Sequence, residues 1–169
     1  TGWVMLDKTP FYATSGGQNG DIGALEDNKH IAIVEETTKF HGLNLSKVKV
    51  VNSSLKQGES VDAIVVNRNE VAKHHSATHL LQSALKIVLG DTVSQAGSLN
   101  DASRLRFDFT YPKAMTKEQI DEVEDLVNSM IARGISGNVE ELPIEQAKKK
   151  GAIAMFGEKY GDVVRVVSF

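Results

Sequence analysis

The fold is decided by residues Glu70 to Leu89, which read EVAKHHSATHLLQSALKIVL. Apolar residues recur in this stretch every three or four positions, which predicts an amphipathic helix, and Gly90 stands where a left-handed cap would end it. The residues before the helix contain short β-branched segments instead, so the period of the pattern changes near Glu70. We therefore predict two lobes, residues 1–68 and residues 69–169.

The N-terminal lobe is predicted to be a small β-barrel. Its apolar, β-branched segments are short and alternate with glycine-containing turns, a pattern typical of antiparallel strands. The segments are Trp3–Leu6, Ile31–Val34, Val48–Val51 and Val61–Val66. The turns contain Gly16-Gly17, Asn19-Gly20, Gly23 and Gln57-Gly58. A barrel-like arrangement is the economical way to pack these strands.

The C-terminal lobe is predicted to mix helices with strands. Residues Arg104–Phe109 alternate between polar and apolar, which predicts a half-buried strand. Thr116 and Gln119 have the spacing of a capping box and predict a second helix, which Gly134 ends. The remaining predicted elements are a helix at Ile144–Lys150 and a strand at Val163–Val167. The predicted class is α+β: a β-barrel-like lobe, then an α/β lobe whose histidine-bearing helix packs on an antiparallel sheet.

The composition excludes several classes of protein. The 169 residues include no cysteine, which excludes disulfides and thiolate metal ligands. No apolar run reaches the roughly 18 residues that a membrane span needs, and no secretory signal is visible. We expect a cytoplasmic protein, since the lack of cysteine fits a reducing compartment. The net charge of −3 would require a local basic patch for any nucleic-acid partner. The candidates for such a patch are Lys148–Lys150 and the pair Arg104 and Arg106. The three lysines could instead form a solvated helix end that complements the helix dipole.

Two histidines, His75 and His79, are the first candidates for a functional site. At about 100° per residue they share a stripe of the helix with Gln82 and Lys86, and His74 lies to one side. The predicted apolar side lies opposite and is formed by Ala77, Leu80, Leu81, Ala84 and Val88. The i, i+4 spacing lets both imidazoles bind one metal ion, but a catalytic zinc normally has three protein ligands. Spacing alone therefore leaves open an ordinary exposed polar face.

Five longer stretches carry a family resemblance. In chain order they are Leu6–Gly23, His75–Leu81, Val93–Leu99, Arg104–Phe109 and Gly151–Asp162. Together they resemble the editing domain of bacterial alanyl-tRNA synthetases, and the resemblance extends over essentially the whole chain. The editing domain of threonyl-tRNA synthetases also has a paired-histidine helix, but it would not account for Leu6–Gly23.

The resemblance implies an enzymatic activity. It implies hydrolysis of the ester that links a wrong amino acid, serine or glycine, to the 3′ end of tRNA(Ala). An alanine pocket cannot strongly exclude the smaller glycine, or serine with its added hydroxyl, so a second site must inspect the product. The expected partners are the acceptor end of tRNA(Ala) and the rest of the synthetase chain, and the parent enzyme is expected to bind ATP.

The resemblance also implies roles for particular residues. His75 and His79 are expected to bind zinc, and Gln95 to recognise the mischarged amino acid, because an amide can donate to and accept from a serine hydroxyl. The loop formed by Gly16, Gly17 and Gln18 is expected to bind the tRNA end or to border the active site. Without the resemblance, Gln95 would be a strand-edge or turn residue, and the loop a turn in which the glycines supply positive φ.

Three other polar residues have simpler interpretations. Asp108 lies between Phe107 and Phe109 and is expected to face solvent, although a carboxylate there could support a histidine. Glu158 and Lys159 are expected to form an ion pair or to stabilise a turn.

The ends of the sequence qualify these expectations. The chain begins without methionine and stops at Phe169, whereas the family continues into a Cys-Gly-Gly-Thr-His segment that supplies the remaining metal ligands. We therefore expect a fragment that is metal-free or weakly loaded with zinc and whose hydrolase activity is impaired. The alternatives are a module that only binds the tRNA acceptor end, or a freestanding protein that edits in trans.

Overall fold

The fold combines strands and helices, in agreement with the predicted α+β class. A computed structural model describes residues 1–152 and 161–168, and within them the chain forms nine strands and three helices. In chain order the elements are β1 (Gly2–Val4), β2 (Gly23–Glu26), β3 (Ile31–Phe40), β4 (Leu43–Asn52), β5 (Asp62–Val65), α1 (Arg68–Leu89), β6 (Ser94–Asn100), β7 (Leu105–Thr110), α2 (Lys117–Ala132), β8 (Asn138–Pro143), α3 (Ile144–Lys149) and β9 (Val163–Ser168).

The chain divides into two compact units. The first comprises Thr1–His79 and Ala96–Asp108, and the second comprises Leu80–Gln95 and Phe109–Phe169. Helix α1 and strands β6 and β7 therefore each contribute residues to both units. The lobe boundary at residue 68 stays a prediction.

The first unit contains an antiparallel sheet of five strands in the order β1-β4-β3-β2-β5. Closing such a sheet into a barrel requires its two edge strands to pair. Strands β1 and β5 are only three and four residues long, and the described ladders contain no pairing between them. The sheet is thus open, and the predicted barrel is not confirmed.

One face of this sheet carries the core of the first unit. Along β3, Ala32 and Val34 are buried whereas Ile31 and Ile33 are exposed, because successive side chains of a strand point to opposite faces. The buried cluster consists of Phe11, Leu25, Ala32, Val34 and Val48. A register shift between Val34 and Glu36 then bends the ladder between β3 and β4.

Local end signals predicted the helices well. Gly90 has a φ of +94°, as expected for a left-handed cap, although α1 begins two residues before the predicted Glu70. Helix α2 has the predicted capping box, in which the Thr116 side chain accepts from the backbone N–H of Gln119 and the Gln119 side chain accepts from that of Thr116. Gly134 follows α2 with a φ of +59°. No helix among the described residues is long and apolar enough to cross a membrane.

Two strands of the second unit form an antiparallel ladder. Strand β9 covers the predicted Val163–Val167 and pairs along its whole length with β8, which the sequence did not predict.

Strand β7 has the predicted alternation, with Leu105, Phe107 and Phe109 half-buried and the residues between them exposed. Helix α3 follows β8 directly and buries Ala147.

Candidate functional site

The buried stripe of α1 differs from the one that its hydrophobic pattern predicts. Its buried residues are Val71, Thr78, Gln82, Ala84 and Leu85. Of the predicted apolar side only Ala84 is buried, and the other four residues are half-buried. Gln82, which the sequence places on the polar stripe, is only 7% exposed, so this stripe is not an exposed face along its whole length.

His75 and His79 lie beside this buried stripe and are half-buried. Their rings stack, with centroids 5.0 Å apart and an interplanar angle of 24°. This is the neighbour relation that i, i+4 spacing on a helix provides. Burial lowers the pKa of His79 below its ordinary value of 6.5, because desolvation penalises the charged imidazolium. At neutral pH the His79 ring is therefore held in its neutral form, which can accept a proton.

Gln18 holds the ring of His75. The carbonyl oxygen Oε1 of Gln18 lies 2.7 Å from Nδ1 of His75, and because that oxygen can only accept, Nδ1 donates the hydrogen bond. Gln18 is 9% exposed and stands 57 residues before His75 in the chain. The pair therefore connects the glycine-rich loop to the first half of α1.

The glycine-rich loop is shaped by two residues with positive φ. Gly16 and Gly17 have φ values of +57° and +75°, which an L side chain rarely adopts. A Cβ at Gly17 would collide with the Oγ of Ser98 and would lie 2.8 Å from the backbone oxygen of Ser98. Glycine is thus required at position 17 both by conformation and by space.

Backbone hydrogen bonds fix the same loop. Ser15 and Gln18 exchange two bonds of 3.1 and 3.0 Å, which closes the turn. The Asn100 N–H donates to the carbonyl of Gly17 at 2.8 Å, and the Asn19 N–H donates to the carbonyl of Asn100 at 3.0 Å. The loop is therefore attached to the end of β6, and Gln18 is not a freely moving side chain.

Sequence reasoning missed two polar residues that attach α1 to β6. The hydroxyl of Thr78 lies 2.6 Å from Oδ1 of Asn100 and 2.9 Å from the backbone oxygen of His74, and Asn100 is completely buried. Its Nδ2 has no hydrogen-bond partner among the described residues. Next to these, Nδ1 of His74 lies 2.8 Å from the backbone oxygen of Asp101. The position of Thr78 between the two histidines was the only available signal.

The structure brings most of the predicted site residues together in one unit. His75, His79 and the loop residues Gly16, Gly17 and Gln18 all belong to the first unit. Gln95 lies in β6, is half-buried and belongs to the second unit.

Most of the other polar candidates are exposed and form ion pairs with nearby charged residues. Asp108 is exposed and forms an ion pair of 3.1 Å with Arg106. Arg104 lies 3.8 Å from Asp101, and Lys148 and Lys150 contact Glu145 and Glu140 at 2.8 and 2.6 Å. Such exposed pairs reduce the positive charge that a phosphate backbone would meet. Glu158 and Lys159 lie outside the described residues.

The histidine pair fits part of a zinc site. Imidazole nitrogen suits zinc, and a ligating histidine ordinarily donates its other ring N–H to a carbonyl or carboxylate, as His75 does to Gln18. Within residues 1–152 and 161–168, no group of three or more His, Asp or Glu side chains is placed to hold a metal ion. If this pair held a zinc ion, the described residues would supply two of the three protein ligands that a catalytic zinc usually has.

Known proteins resemble this chain along almost all of it. Residues 1–69 match the family described as tRNA synthetases class II (A). Over 99% of its length the chain is 57% identical to the alanine–tRNA ligase of Helicobacter pylori (strain HPAG1) and 59% identical to that of Sulfurimonas denitrificans. It spans about a fifth of these relatives, 20% of the first and 19% of the second. Over 99% of its length, the chain is thus similar to one segment of the alanine–tRNA ligases.

Proposed function

We propose that this chain is the editing domain of an alanine–tRNA ligase and hydrolyses the ester of Ser-tRNA(Ala) or Gly-tRNA(Ala). The observation that carries the proposal is the stacked pair His75 and His79, with His75 fastened to Gln18, in a chain related throughout to that enzyme. Ester hydrolysis needs a group that takes a proton from the attacking water, and a neutral imidazole is the usual one.

His79 suits the role of proton acceptor. Its lowered pKa keeps the imidazole neutral at physiological pH, so a ring nitrogen can accept the proton of a water that attacks the ester carbonyl. His75 is fixed beside it by stacking and by the bond to Gln18, which keeps both rings in one relative orientation. In a zinc-bound form the two imidazoles would be metal ligands instead of proton acceptors, and the ion would lower the pKa of a coordinated water.

We assign recognition of the amino acid to Gln95 and binding of the tRNA end to the loop that contains Gly16 and Gly17, in which the buried Gln18 side chain contacts His75. An amide at Gln95 can bond to a serine hydroxyl as donor and as acceptor, which distinguishes serine from alanine. The half-buried backbone of Gly16 is the part of this loop that we assign to the 3′ end of the tRNA, because Ser98 fills the side-chain position of Gly17. The assigned partners are therefore the acceptor end of tRNA(Ala) and the rest of the ligase chain.

The proposal is tested by measuring serine release from Ser-tRNA(Ala). Because the chain spans about a fifth of its relatives, two proteins are compared: the chain alone, and the H. pylori ligase with its matching segment replaced by this chain. We expect the chimeric ligase to release serine and the chain alone to do so more slowly, because the described residues provide only part of a zinc site.

Histidine substitutions in the chimeric ligase show whether the pair performs the reaction. His79→Asn should reduce the rate of serine release by about 10²- to 10⁴-fold, the usual contribution of a general base. His41→Asn is the matched control, because His41 is exposed in the turn between β3 and β4 and already has a positive φ of 48°. A chimera that binds Ser-tRNA(Ala) but releases no serine would instead indicate a module that only binds the acceptor end.

A further inference from the structure

Strands β3 and β4 extend beyond the other strands of their sheet. Strand β2 pairs with β3 only as far as Val34, and β1 pairs with β4 only from Ser46 onward. Residues 38–45 therefore pair only with each other among the described strands, and we call them the ribbon. A two-residue turn closes the ribbon, in which His41 and Gly42 both have the positive φ that such a turn requires, 48° and 82°.

One face of the ribbon exposes aromatic rings. Thr37 is buried, so Phe40, three positions later on the strand, points to the opposite, outer face and is 60% exposed. Its ring touches the imidazole of the turn residue His41 at a right angle, with centroids 4.4 Å apart. Trp3 on β1 is 53% exposed and lies opposite Lys47, whose neighbour Ser46 is buried, so it belongs to the same outer face. Of the described Phe, Tyr and Trp side chains, Phe40 and Trp3 are the most exposed.

The charge of the ribbon suits an anion, although the chain as a whole has a net charge of −3. Lys39 is the only charged residue of the ribbon and is exposed. Lys47 follows on the outer face at the base, where it lies opposite Glu36. The described ion pairs include neither of these lysines. The tip of the ribbon is therefore positive, and its nearest acidic residues, Glu35 and Glu36, lie at the base.

An exposed aromatic ring beside lysines fits an RNA better than a protein. Unpaired bases stack on aromatic side chains, and a lysine next to the ring neutralises the adjacent phosphate. A protein partner would instead require a contiguous apolar surface. On the outer face the polar side chains of Lys47 and Thr38 lie between Trp3 and Phe40, so the apolar surface is interrupted.

Hydrogen bonds attach the base of the ribbon beside the glycine-rich loop. The Thr14 N–H donates to the carbonyl of Thr37 at 3.0 Å, and the hydroxyl of Thr37 donates to the carbonyl of Asp21 at 2.8 Å. The loop with Gly16 lies between these two attachments in the chain. An RNA whose 3′ end reaches Gly16 therefore has the ribbon next to it.

We propose that the ribbon is a second contact for RNA, in which Phe40 stacks on an unpaired base and Lys39 and Lys47 meet phosphates. Trp3 is a further ring on the same face, and His41 shapes the turn without taking part in the contact. That this RNA is the acceptor end of tRNA(Ala) rests on the proposed function, whereas the affinity for single-stranded RNA does not.

The experiment measures how tightly the unsubstituted chain binds a single-stranded RNA of about eight nucleotides, a length typical of single-strand sites. Quenching of the Trp3 fluorescence and the anisotropy of a dye on the RNA report the affinity at several salt concentrations. We expect the single strand to bind more tightly than a duplex of the same sequence, because paired bases are not available for stacking. No binding of the single strand at low salt, or a preference for the duplex, would overturn the proposal.

Substitutions at exposed positions test whether the ribbon forms the contact. Phe40→Leu keeps an apolar side chain without the ring and should weaken binding by about 5- to 150-fold, the effect of one lost base stack. Phe40→Tyr keeps the ring and should bind like the unsubstituted chain. Lys39→Gln should reduce the slope of log affinity against log salt by about one. Ile131→Ala and Lys113→Gln change an exposed apolar residue and an exposed lysine outside the ribbon, and as matched controls they should change neither quantity.

The outcomes separate this contact from the proposed function. In the chimeric ligase, Phe40→Leu should raise KM for Ser-tRNA(Ala) and leave kcat unchanged, because the ribbon touches no reacting atom. RNA binding that depends on Phe40, together with an inert chimeric ligase, would refute only the assigned activity. Unchanged RNA binding in Phe40→Leu contradicts the contact even if serine is released. If that variant also lowers the thermal stability of the chimeric ligase, the rest of the ligase covers this face and the proposal is wrong.

Discussion

Replacing Gly17 by alanine should destabilise the first unit more than the same change at another glycine with positive φ. The left-handed backbone costs a non-glycine residue about 1–2 kcal/mol. The added Cβ would also lie 2.8 Å from the backbone oxygen of Ser98, so the loop must move and weaken its bond from the Asn100 N–H. Loss of that hydrogen bond adds about 0.5–1.5 kcal/mol. We therefore expect Gly17→Ala to lower the free energy of unfolding by about 1.5–3.5 kcal/mol, the sum of the two contributions.

Gly58→Ala is the matched control for this prediction. Gly58 has a φ of +90° and belongs to the same unit, but a Cβ there would meet nothing within 4 Å. It should therefore cost only the conformational part, about 1–2 kcal/mol. Urea unfolding followed by the fluorescence of Trp3, the only tryptophan of the chain, reports on this unit. Equal losses in the two variants would refute the claim that the lack of space beside Ser98 requires glycine at position 17.

Three further perturbations test other parts of the structure. Asp21 is fully buried and pairs with Arg68, so Arg68→Met should lower the free energy of unfolding by about 1–3 kcal/mol in urea titrations, and an unchanged midpoint would contradict this role. The hydrogen bond from His30 lowers the pKa of Asp27 from 3.8 to about 2, so its stabilisation is present above about pH 4 and is lost as the pH falls towards 2. Asp27→Asn should flatten the curve of unfolding free energy against pH in that interval. A variant curve with the same slope as that of the unsubstituted protein would contradict the stabilising role of the Asp27–His30 pair. Thr116→Ala removes the capping box of α2 and should cost about 1 kcal/mol, seen as faster amide exchange in the first turn of the helix.

Helix ends could be predicted because their signals are local. The capping box at Thr116 and the glycine at position 90 act within one turn of the chain, and both are found where the sequence places them. Strand β2 was missed because its sequence, Gly-Ala-Leu-Glu, contains no β-branched residue. It forms because its backbone pairs by antiparallel hydrogen bonds with β3 on one side and with β5 on the other. Strand pairing between distant segments also decides whether a sheet closes into a barrel, so the sequence pattern could not distinguish a closed barrel from an open sheet.

The orientation of α1 could not be predicted from hydrophobicity. The pattern treats Thr78 and Gln82 as polar and therefore outward, but both are buried. Burying Thr78 has a small free-energy cost because its hydroxyl forms a hydrogen bond with Asn100, which lies 22 residues later in the chain. The spacing of His75 and His79 did predict that their rings are neighbours, since that relation is helical. The contact of His75 with Gln18 spans 57 residues and became visible only in the folded chain.

The most direct test of the account compares two substrates on the chimeric ligase that carries this chain. Hydrolysis of Ser-tRNA(Ala) and of correctly charged Ala-tRNA(Ala) is followed in parallel by loss of the labelled amino acid. We predict that the serine ester is cleaved faster, and that Gln95→Leu brings the two rates together because the serine hydroxyl loses its amide partner. Equal cleavage of both esters by the unsubstituted protein, or none of either, would contradict the claim that this segment edits mischarged tRNA.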